Sequence, residues 1–140
     1  MEFRILESRE EAQRIFPVIK QLRTHLDEST FLDLLQKAKS ESDYTLLAAY
    51  EGSECVGLMG FRFLTDFVHG RHLYIDDLVT SESHRSKGLG SQFLQKAKEI
   101  AAQNGCQRLR LCTGADNDRG KKFYEKNGWD FRAIVYKAKL

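Results

Sequence analysis

The chain has 140 residues, 41% of them hydrophobic and 30% charged, which is typical of folded globular proteins and not of disordered or membrane-embedded ones. Its 22 Lys and Arg stand against 20 Asp and Glu, a net charge of +2, so the basic excess of a general nucleic-acid binder is missing. The length predicts a single domain, residues 1–140, large enough for a real core.

Signals for export, membrane insertion and metal binding are weak. The N-terminus shows neither the basic nor the apolar part of a secretory signal, and no apolar run is long enough to cross a bilayer. The three cysteines include no C-x-x-C pair and have no histidine cluster near them in sequence, which argues against a zinc site; they are Cys55, Cys106 and Cys112. We expect a cytoplasmic protein with reduced thiols, no bound metal and no membrane partner.

The first part of the chain predicts a strand followed by two helices. Residues 3–7 alternate apolar and polar side chains, as a strand does. Ser8 and Glu11 then have the spacing of a capping box at a helix start. Apolar residues recur at helical intervals after it, although Pro17 predicts a kink or a late start. A second helical stripe follows over residues 31–38.

The middle of the chain predicts three strands. Residues 44–50 and 55–64 are strand-like and are joined by a four-residue turn, which predicts an antiparallel hairpin. A polar loop is expected over residues 65–71. The next strand, residues 72–79, is unusual because two adjacent carboxylates, Asp76 and Asp77, lie in its middle.

The last part predicts a helix over 88–104, a strand over 107–113, a short helix over 117–126 and a final strand over 129–139. The strand after the first of these helices should lie parallel to the strand before it. Together the elements predict a single-domain α/β fold, a mixed β-sheet flanked by helices in the order β-α-α-β-β-β-α-β-α-β.

A basic turn rich in glycine carries the first chemical signal. It joins a strand to a helix and contains Arg85, Lys87, Gly88 and Gly90. The free N–H groups at a helix start bind anions, and glycine allows a ligand to approach the backbone closely. The turn therefore suits a pyrophosphate, although a tight bend that only needs glycine explains the same residues.

Two other phosphate-binding patterns fit this turn poorly. A Walker loop needs a Gly, four residues and then Gly-Lys-Ser/Thr, and the chain has no such string. The dinucleotide fingerprint needs a third glycine where Phe93 stands.

Two motifs together give a family resemblance. The Arg85-x-x-Gly88-x-Gly90 pattern resembles the acyl-CoA pyrophosphate motif of the GNAT superfamily of N-acetyltransferases. A second segment, from Asn117 through a short helix with Tyr124 to Gly-Trp, is similar to the other signature of that superfamily. The resemblance covers essentially the whole chain. This chain departs from the usual pattern with Ser for Gly at 86, Gly for Ala at 120 and Trp for Phe at 129.

The resemblance implies acetyl-CoA as co-substrate and a set of residues that bind it. The backbone of Leu78, Val79 and Thr80 would pair with the pantetheine arm, and the Val79 N–H would stabilise the oxyanion. Asn117 would hydrogen-bond the same arm. The remaining expected contacts lie in the turn and the two helices that follow the motifs: Arg85, Ser86, Lys87, Gly88, Leu89, Gly90, Ser91, Phe123 and Tyr124.

The same resemblance implies how the reaction runs. Tyr124 would be the general acid that protonates the leaving thiolate. The strand with Asp76 and Asp77 is similar to the acidic strand of polyamine and aminophosphonate acetyltransferases, so one of the two would deprotonate the amine, with Asp76 favoured. Adjacent strand residues face opposite ways, so only one should reach the cleft unless a bulge intervenes. An acidic pair that only binds a cation is the alternative.

The expected function is transfer of acetyl from acetyl-CoA to a small cationic primary amine by direct attack. Two alternatives stay open: a non-catalytic acetyl-CoA-binding regulatory module, and an acetyltransferase for protein lysines or N-termini. Tyr44, Asp66 and the bend at 25–28 are candidates for the border of the acceptor pocket, and the four histidines receive no catalytic role. A homodimer through the last strand is also left open.

Overall fold

The computed structural model describes all residues, 1–140. It contains five strands, four α-helices and one 3₁₀ turn over Glu82–His84. In chain order the main elements are β1 (Glu2–Ile5), α1 (Arg9–Leu22), α2 (Glu28–Ser42), β2 (Thr45–Glu51), β3 (Glu54–Asp66), β4 (Gly70–Thr80), α3 (Leu89–Gln103), β5 (Arg108–Leu111) and α4 (Asp118–Lys126). No helix combines the length and the apolar character that crossing a membrane requires.

The strands form one sheet in the order β1-β2-β3-β4-β5. The first three pairings are antiparallel, and β2 and β3 turn at Gly52, whose φ is 63°. The turn has two residues where the sequence predicts four, because both strands continue to their glutamates, Glu51 and Glu54. The predicted class, a mixed sheet flanked by helices, is confirmed.

The helix starts follow their local chemistry. Ser8 caps α1 by accepting a hydrogen bond from the Glu11 N–H at 3.2 Å, so the predicted N-cap is confirmed. The Glu11 carboxylate bonds the Ser8 hydroxyl at 3.2 Å and not the Ser8 backbone N–H of a full capping box. Asp27 caps α2 in the same way through the Thr30 N–H. Helix α1 runs from Arg9 through Pro17, which contradicts a late start at the proline.

The chain divides into two compact units, Met1–Arg110 and Leu111–Leu140. In the first unit, α3 packs on the sheet where Gly57 leaves room for it. A Cβ on that glycine would come within 2.8 Å of the Phe93 ring and 2.9 Å of Leu89. The largest fully buried side chains, among them Phe93, Ile15, Leu46 and Leu58, belong to this unit.

The strand predicted over 129–139 is wrong. Residues 129–140 form no regular element, and the side chains of Phe131, Ile134, Val135 and Tyr136 are exposed. Apolar alternation favours a strand only where a neighbouring strand can satisfy its N–H and C=O groups. No such partner pairs with this segment, so the element order ends with α4. A homodimer, left open by the sequence, stays a prediction, but this segment offers no strand through which it could form.

Candidate active site

A β-bulge in the middle of β4 brings two carboxylates to one side of the sheet. In the register with β3, Gly60 lies opposite Asp77 and Phe61 lies opposite Ile75, which leaves Asp76 without a partner. A bulge interrupts the alternation of side chains, so adjacent residues can share a face. Asp76 and Asp77 accordingly line the same cavity.

Two side chains from distant parts of the chain hold Asp77. The Arg23 Nε, at the C-cap of α1, donates to Asp77 Oδ1 at 2.9 Å. The Tyr44 hydroxyl, just before β2, donates to Asp77 Oδ2 at 2.6 Å. Tyr44 reaches this position across Gly60, where any Cβ would overlap the phenol. The glycine is therefore required by the packing of the tyrosine.

Asp76 is held by a guanidinium from the neighbouring strand. Arg62 on β3 donates from Nε to Asp76 Oδ2 at 2.7 Å and from Nη2 to Oδ1 at 2.8 Å, a two-point ion pair. Arg23 adds a bond from Nη2 to the Asp76 carbonyl at 2.9 Å. Two carboxylates thus face two guanidinium groups, so the local formal charge balances.

The cavity in front of these residues has a volume of about 500 Å³. Its polar end is formed by the two aspartates, Arg23, Arg62 and Tyr44. The remaining wall comes from α1, α2 and the bend between them, with Ile19, His25, Leu26, Phe31, Leu34, Leu35, Ala38 and Ser42. Tyr44 and the bend at 25–26 therefore border a cavity as the sequence predicts, whereas Asp66 does not line it.

Burial and the nearby charges keep Tyr44 and Arg62 protonated. Burial first, and then the negative charge of Asp77, keep the pKa of Tyr44 well above its usual range. The hydrogen bonds to Asp76 raise the pKa of Arg62. At neutral pH the tyrosine is therefore a neutral donor and the arginine a cation.

The basic turn has the shape of an anion-binding site. Ser86 and Gly88 both adopt left-handed backbone, with φ of 65° and 81°. Gly88 is the N-cap of α3, and no side chain caps that helix. The first N–H groups of a helix have no partner within it, and successive backbone N–H groups in such turns form concave anion sites. Positive φ at a serine is costly and is found mainly at functional sites.

The residues of the turn that are expected to bind the pyrophosphate are consecutive in the chain, from Arg85 to Ser91. Leu89, Gly90 and Ser91 form the first turn of α3. Arg85 and Lys87, which flank Ser86, are exposed and add positive charge to it. This supports the sequence-based expectation of an anion site, while each residue's individual contact stays a prediction.

The second unit carries the other expected residues on and next to α4. Asn117 is the N-cap of this helix: its Oδ1 accepts from the Gly120 N–H at 3.0 Å and its Nδ2 donates to Thr113 Oγ1 at 2.9 Å. A Cβ at Gly120 would lie 2.9 Å from Asn117 Cγ, which explains glycine where the family usually has alanine. The cap role of Asn117 is structural, and its amide nitrogen keeps one N–H for a ligand.

Tyr124 packs inside the second unit among aromatic rings. Its ring centroid lies 5.2 Å from that of Phe123 and 6.0 Å from that of Trp129. Burial raises the pKa of Tyr124, so the phenol stays protonated at neutral pH. Protonation is the state that a general acid requires.

Arg23 and Arg62 are the cavity residues that the sequence analysis missed. Arg62 had a detectable signal, because it is the single charged residue in the otherwise apolar segment 55–64. Such a residue is seldom buried without a partner. Arg23 gave no comparable signal, since it follows the last residue of α1 and its partner is more than 50 positions away.

The chain is similar in sequence to known N-acetyltransferases. The sequence model of the acetyltransferase (GNAT) family matches residues 6–129. The chain is 32% identical over 133 residues to the uncharacterized N-acetyltransferase YhdJ of Bacillus subtilis (strain 168), with 94% of each chain covered. It is 31% identical over 78 residues to the thialysine N-epsilon-acetyltransferase of Bos taurus, covering 56% of this chain and 46% of the relative.

Solved structures share the fold at lower sequence identity. The aminoglycoside N-acetyltransferase AAC(6')-Iy in complex with CoA matches with a TM-score of 0.83 at 16% identity, covering 99% of this chain and 95% of the other. The ribosomal-protein-alanine N-acetyltransferase of Brucella melitensis biovar Abortus 2308 also matches with a TM-score of 0.83, at 18% identity and complete coverage of both chains. At these identities the likeness shows the fold.

Proposed function

Because the chain belongs to the GNAT family of acetyl-CoA-dependent N-acetyltransferases, we propose that its acceptor is a small cationic primary amine that binds in the cavity before Asp76 and Asp77. The convergence of both carboxylates on this one cavity carries the proposal. One relative is named for thialysine and several solved structures for aminoglycosides, and these names support a small-molecule amine.

The paired arginines narrow the acceptor further. Each carboxylate has about four acceptor positions, and Arg62 occupies two of those on Asp76. A protonated amine can therefore bind Asp76 without displacing Arg62. Because Arg23 and Arg62 also present cationic groups at the polar end of the cavity, an amine that carries an anionic group as well fits better than a polyamine.

The amine has to lose a proton before it attacks. A free alkylamine has a pKa of about 10, so it is almost entirely protonated at neutral pH. We assign the proton to Asp76, directly or through one water, because this carboxylate lines the cavity and Arg62 occupies only two of its roughly four acceptor positions. Asp77 accepts from Arg23 and from Tyr44 and serves to position the acceptor.

The backbone of β4 supplies the donor for the oxyanion. The Ser81 N–H donates to the Val56 carbonyl at 2.9 Å, and Leu58 and Val79 pair two positions further along the same ladder. Antiparallel pairs alternate in type, so the Val79 N–H is directed at β3 like that of Ser81. We therefore assign the oxyanion donor to the N–H of Leu78 or Thr80, which point away from β3, in place of Val79.

The anion site at the start of α3 suits the pyrophosphate of CoA. Its uncapped N–H groups and the left-handed residues Ser86 and Gly88 match a doubly charged phosphate group, and Arg85 and Lys87 add cations. Tyr124 is the proposed acid for the departing thiolate, whose conjugate acid has a pKa near 8.5. The remaining N–H of Asn117 is the proposed donor to the pantetheine arm.

Acceptor-dependent release of free CoA thiol tests the proposal. The panel consists of an amine with a carboxylate, an aminoalkylphosphonate, a polyamine, an aminoglycoside and a lysine peptide. We expect the highest kcat/KM for one of the first two. If the peptide is the best acceptor, the small-molecule assignment fails and a protein acetyltransferase replaces it. Binding of acetyl-CoA by calorimetry without thiol release for any amine would identify a regulatory module.

A further inference from the structure

The hairpin between β3 and β4 gathers three metal-ligating side chains away from the cavity. Asp66 is the last residue of β3, His69 lies in the turn and His72 lies on β4. One donor atom from each lies within 4.8 Å of the others. His69 Nδ1 and His72 Nε2 lie 3.0 Å and 3.9 Å from the same atom, Asp66 Oδ2. The other oxygen, Asp66 Oδ1, accepts from the backbone N–H groups of Val68 and His69 at 3.0 and 2.7 Å. None of the three lines the acceptor cavity.

These separations match the edges of a metal coordination sphere. Zinc binds histidine nitrogen and carboxylate oxygen at about 2.0–2.2 Å, so two ligand atoms of a tetrahedral site lie about 3.4 Å apart. The two measured distances lie on either side of that value. The side chains of His69 and Asp66 are both partly exposed, so they have room to adjust to an ion.

The buried histidine is already oriented as a ligand. His72 is fully buried, and its Nδ1 lies 3.0 Å from the Gly70 carbonyl. A carbonyl can only accept, so Nδ1 carries the proton and Nε2 has a lone pair, which accepts a hydrogen bond from Arg110 Nη1 at 3.1 Å. Metal-binding histidines are commonly fixed in this way, by donating the second ring N–H to a backbone carbonyl.

A positive charge already occupies the approach to this lone pair. Arg110 Nη1 lies 3.1 Å from His72 Nε2 and 3.5 Å from Asp66 Oδ2. The guanidinium thus contacts the two donors that a metal ion would bind. Its side chain is partly exposed, and it also lies 5.5 Å from the ring of Tyr74, so it can withdraw without losing every partner.

We propose that Asp66, His69 and His72 bind one divalent transition-metal ion of the class that imidazole and carboxylate favour, such as Zn²⁺, in exchange for Arg110. Two histidines and a carboxylate leave one coordination position for water. The ion links the end of β3, the turn and the start of β4, so it fixes the hairpin tip on which Phe67 and Val68 are exposed. The sequence predicts no metal site at the cysteines, and these three ligands lie apart from them.

Calorimetric titration of the chelator-treated protein with ZnCl₂ tests the site. We expect one ion per chain, with the affinity reduced at least about tenfold in His69→Asn and in Asp66→Asn. His84→Asn is the matched control, because His84 is also a histidine paired with a carboxylate, Glu51 at 2.7 Å. If the control loses as much affinity as the two cluster variants, or if those variants bind like the parent, the proposal is overturned.

A second variant separates ligand loss from misfolding. Arg110→Met removes the competing guanidinium and leaves all three ligands, so it should bind Zn²⁺ more tightly than the parent. Unchanged or weaker binding would contradict the exchange. Visible absorption of the Co²⁺-loaded protein reports the tetrahedral geometry, and its absence from a protein that binds Co²⁺ would refute the coordination described above. Both readouts are independent of acetyl transfer.

Discussion

Tyr44 donates a 2.6 Å hydrogen bond to Asp77 while its ring lies against Gly60, the residue that pairs with Asp77 across β3 and β4. This one contact in the cavity therefore depends on Tyr44, on Asp77 and on the small size of Gly60. Since the phenol occupies the space of a missing Cβ, the hydrogen bond depends on the absence of a side chain as much as on the tyrosine itself.

Gly60→Ala should destabilise the protein and loosen the acceptor site. The new methyl group overlaps the Tyr44 hydroxyl, and overpacking of this kind costs about 1–3 kcal/mol. The free energy of unfolding in urea measures this cost, and a raised KM for the amine reports the lost contact to Asp77. Gly114→Ala is the control, because its nearest contact would be an ordinary 3.8 Å to Asn117. Equal stability of the two variants would contradict this account.

In Tyr44→Phe the free energy of unfolding should fall less steeply with rising pH than in the parent protein. An unfolded tyrosine ionises near pH 10, whereas burial and Asp77 hold the pKa of Tyr44 well above that. The Tyr44 proton contributes fully to the free energy of unfolding below pH 10. As the pH rises from there toward the pKa of the folded state, that contribution is lost, at up to about 1.4 kcal/mol per pH unit. Urea unfolding between about pH 9 and 11 measures the slope.

The control for that series is Tyr136→Phe. Tyr136 is 87% exposed, so its removal should leave the alkaline slope of the parent protein unchanged. The assignment to Tyr44 is wrong if the Tyr44 variant retains the full slope.

Tyr124→Phe should lower kcat by roughly 10²–10⁴ if the phenol protonates the thiolate. The KM for acetyl-CoA should change little, because the phenol acts on the leaving group and the ring is kept. Steady-state thiol release measures both constants. Activity equal to that of the parent would rule out Tyr124 as the acid, whereas melting temperatures that match show that the ring packing with Phe123 and Trp129 survives.

Arg85→Ala should raise the KM for acetyl-CoA by roughly ten- to hundredfold, because that is the loss of affinity expected when one hydrogen bond to a charged group is removed. The matched control is Arg108→Ala, because Arg108 is an exposed arginine whose Nη1 bonds only the neighbouring Gln107 carbonyl. The KM of the control should stay at the parent value. An unchanged KM in the Arg85 variant would remove this residue from the pyrophosphate site.

Local sequence signals predicted the elements whose determinants lie within a few residues. The N-cap at Ser8 and the start of α3 at the glycine turn are examples, because the cap hydrogen bond and the turn's backbone angles are local. The final strand failed for the opposite reason. Residues 129–136 are rich in the aromatic and β-branched residues that strands favour, but a strand also needs a partner, and no short window of sequence reports one.

The candidate site shows the same division. Asp76 and Asp77 stand out as a pair of charges in a strand, so the sequence could identify them. Their arginine partners lie 14 and 54 positions away, and nothing local links them. The metal cluster was hidden because residues 65–71 were expected to be a loop. The strands instead continue to Asp66 and Gly70, and this pairing brings Asp66 and His72 to the same end of the sheet.

The unpaired position at Asp76 has a consequence for how this site varies among related chains. Without that extra residue, alternation would return one of the two carboxylates to the opposite face of the sheet. The number of residues between Gly70 and Thr80 therefore determines whether the cavity contains one negative charge or two. Deleting a single codon there would change the acceptor site more than most substitutions, so relatives should be grouped by the length of this strand before their side chains are compared.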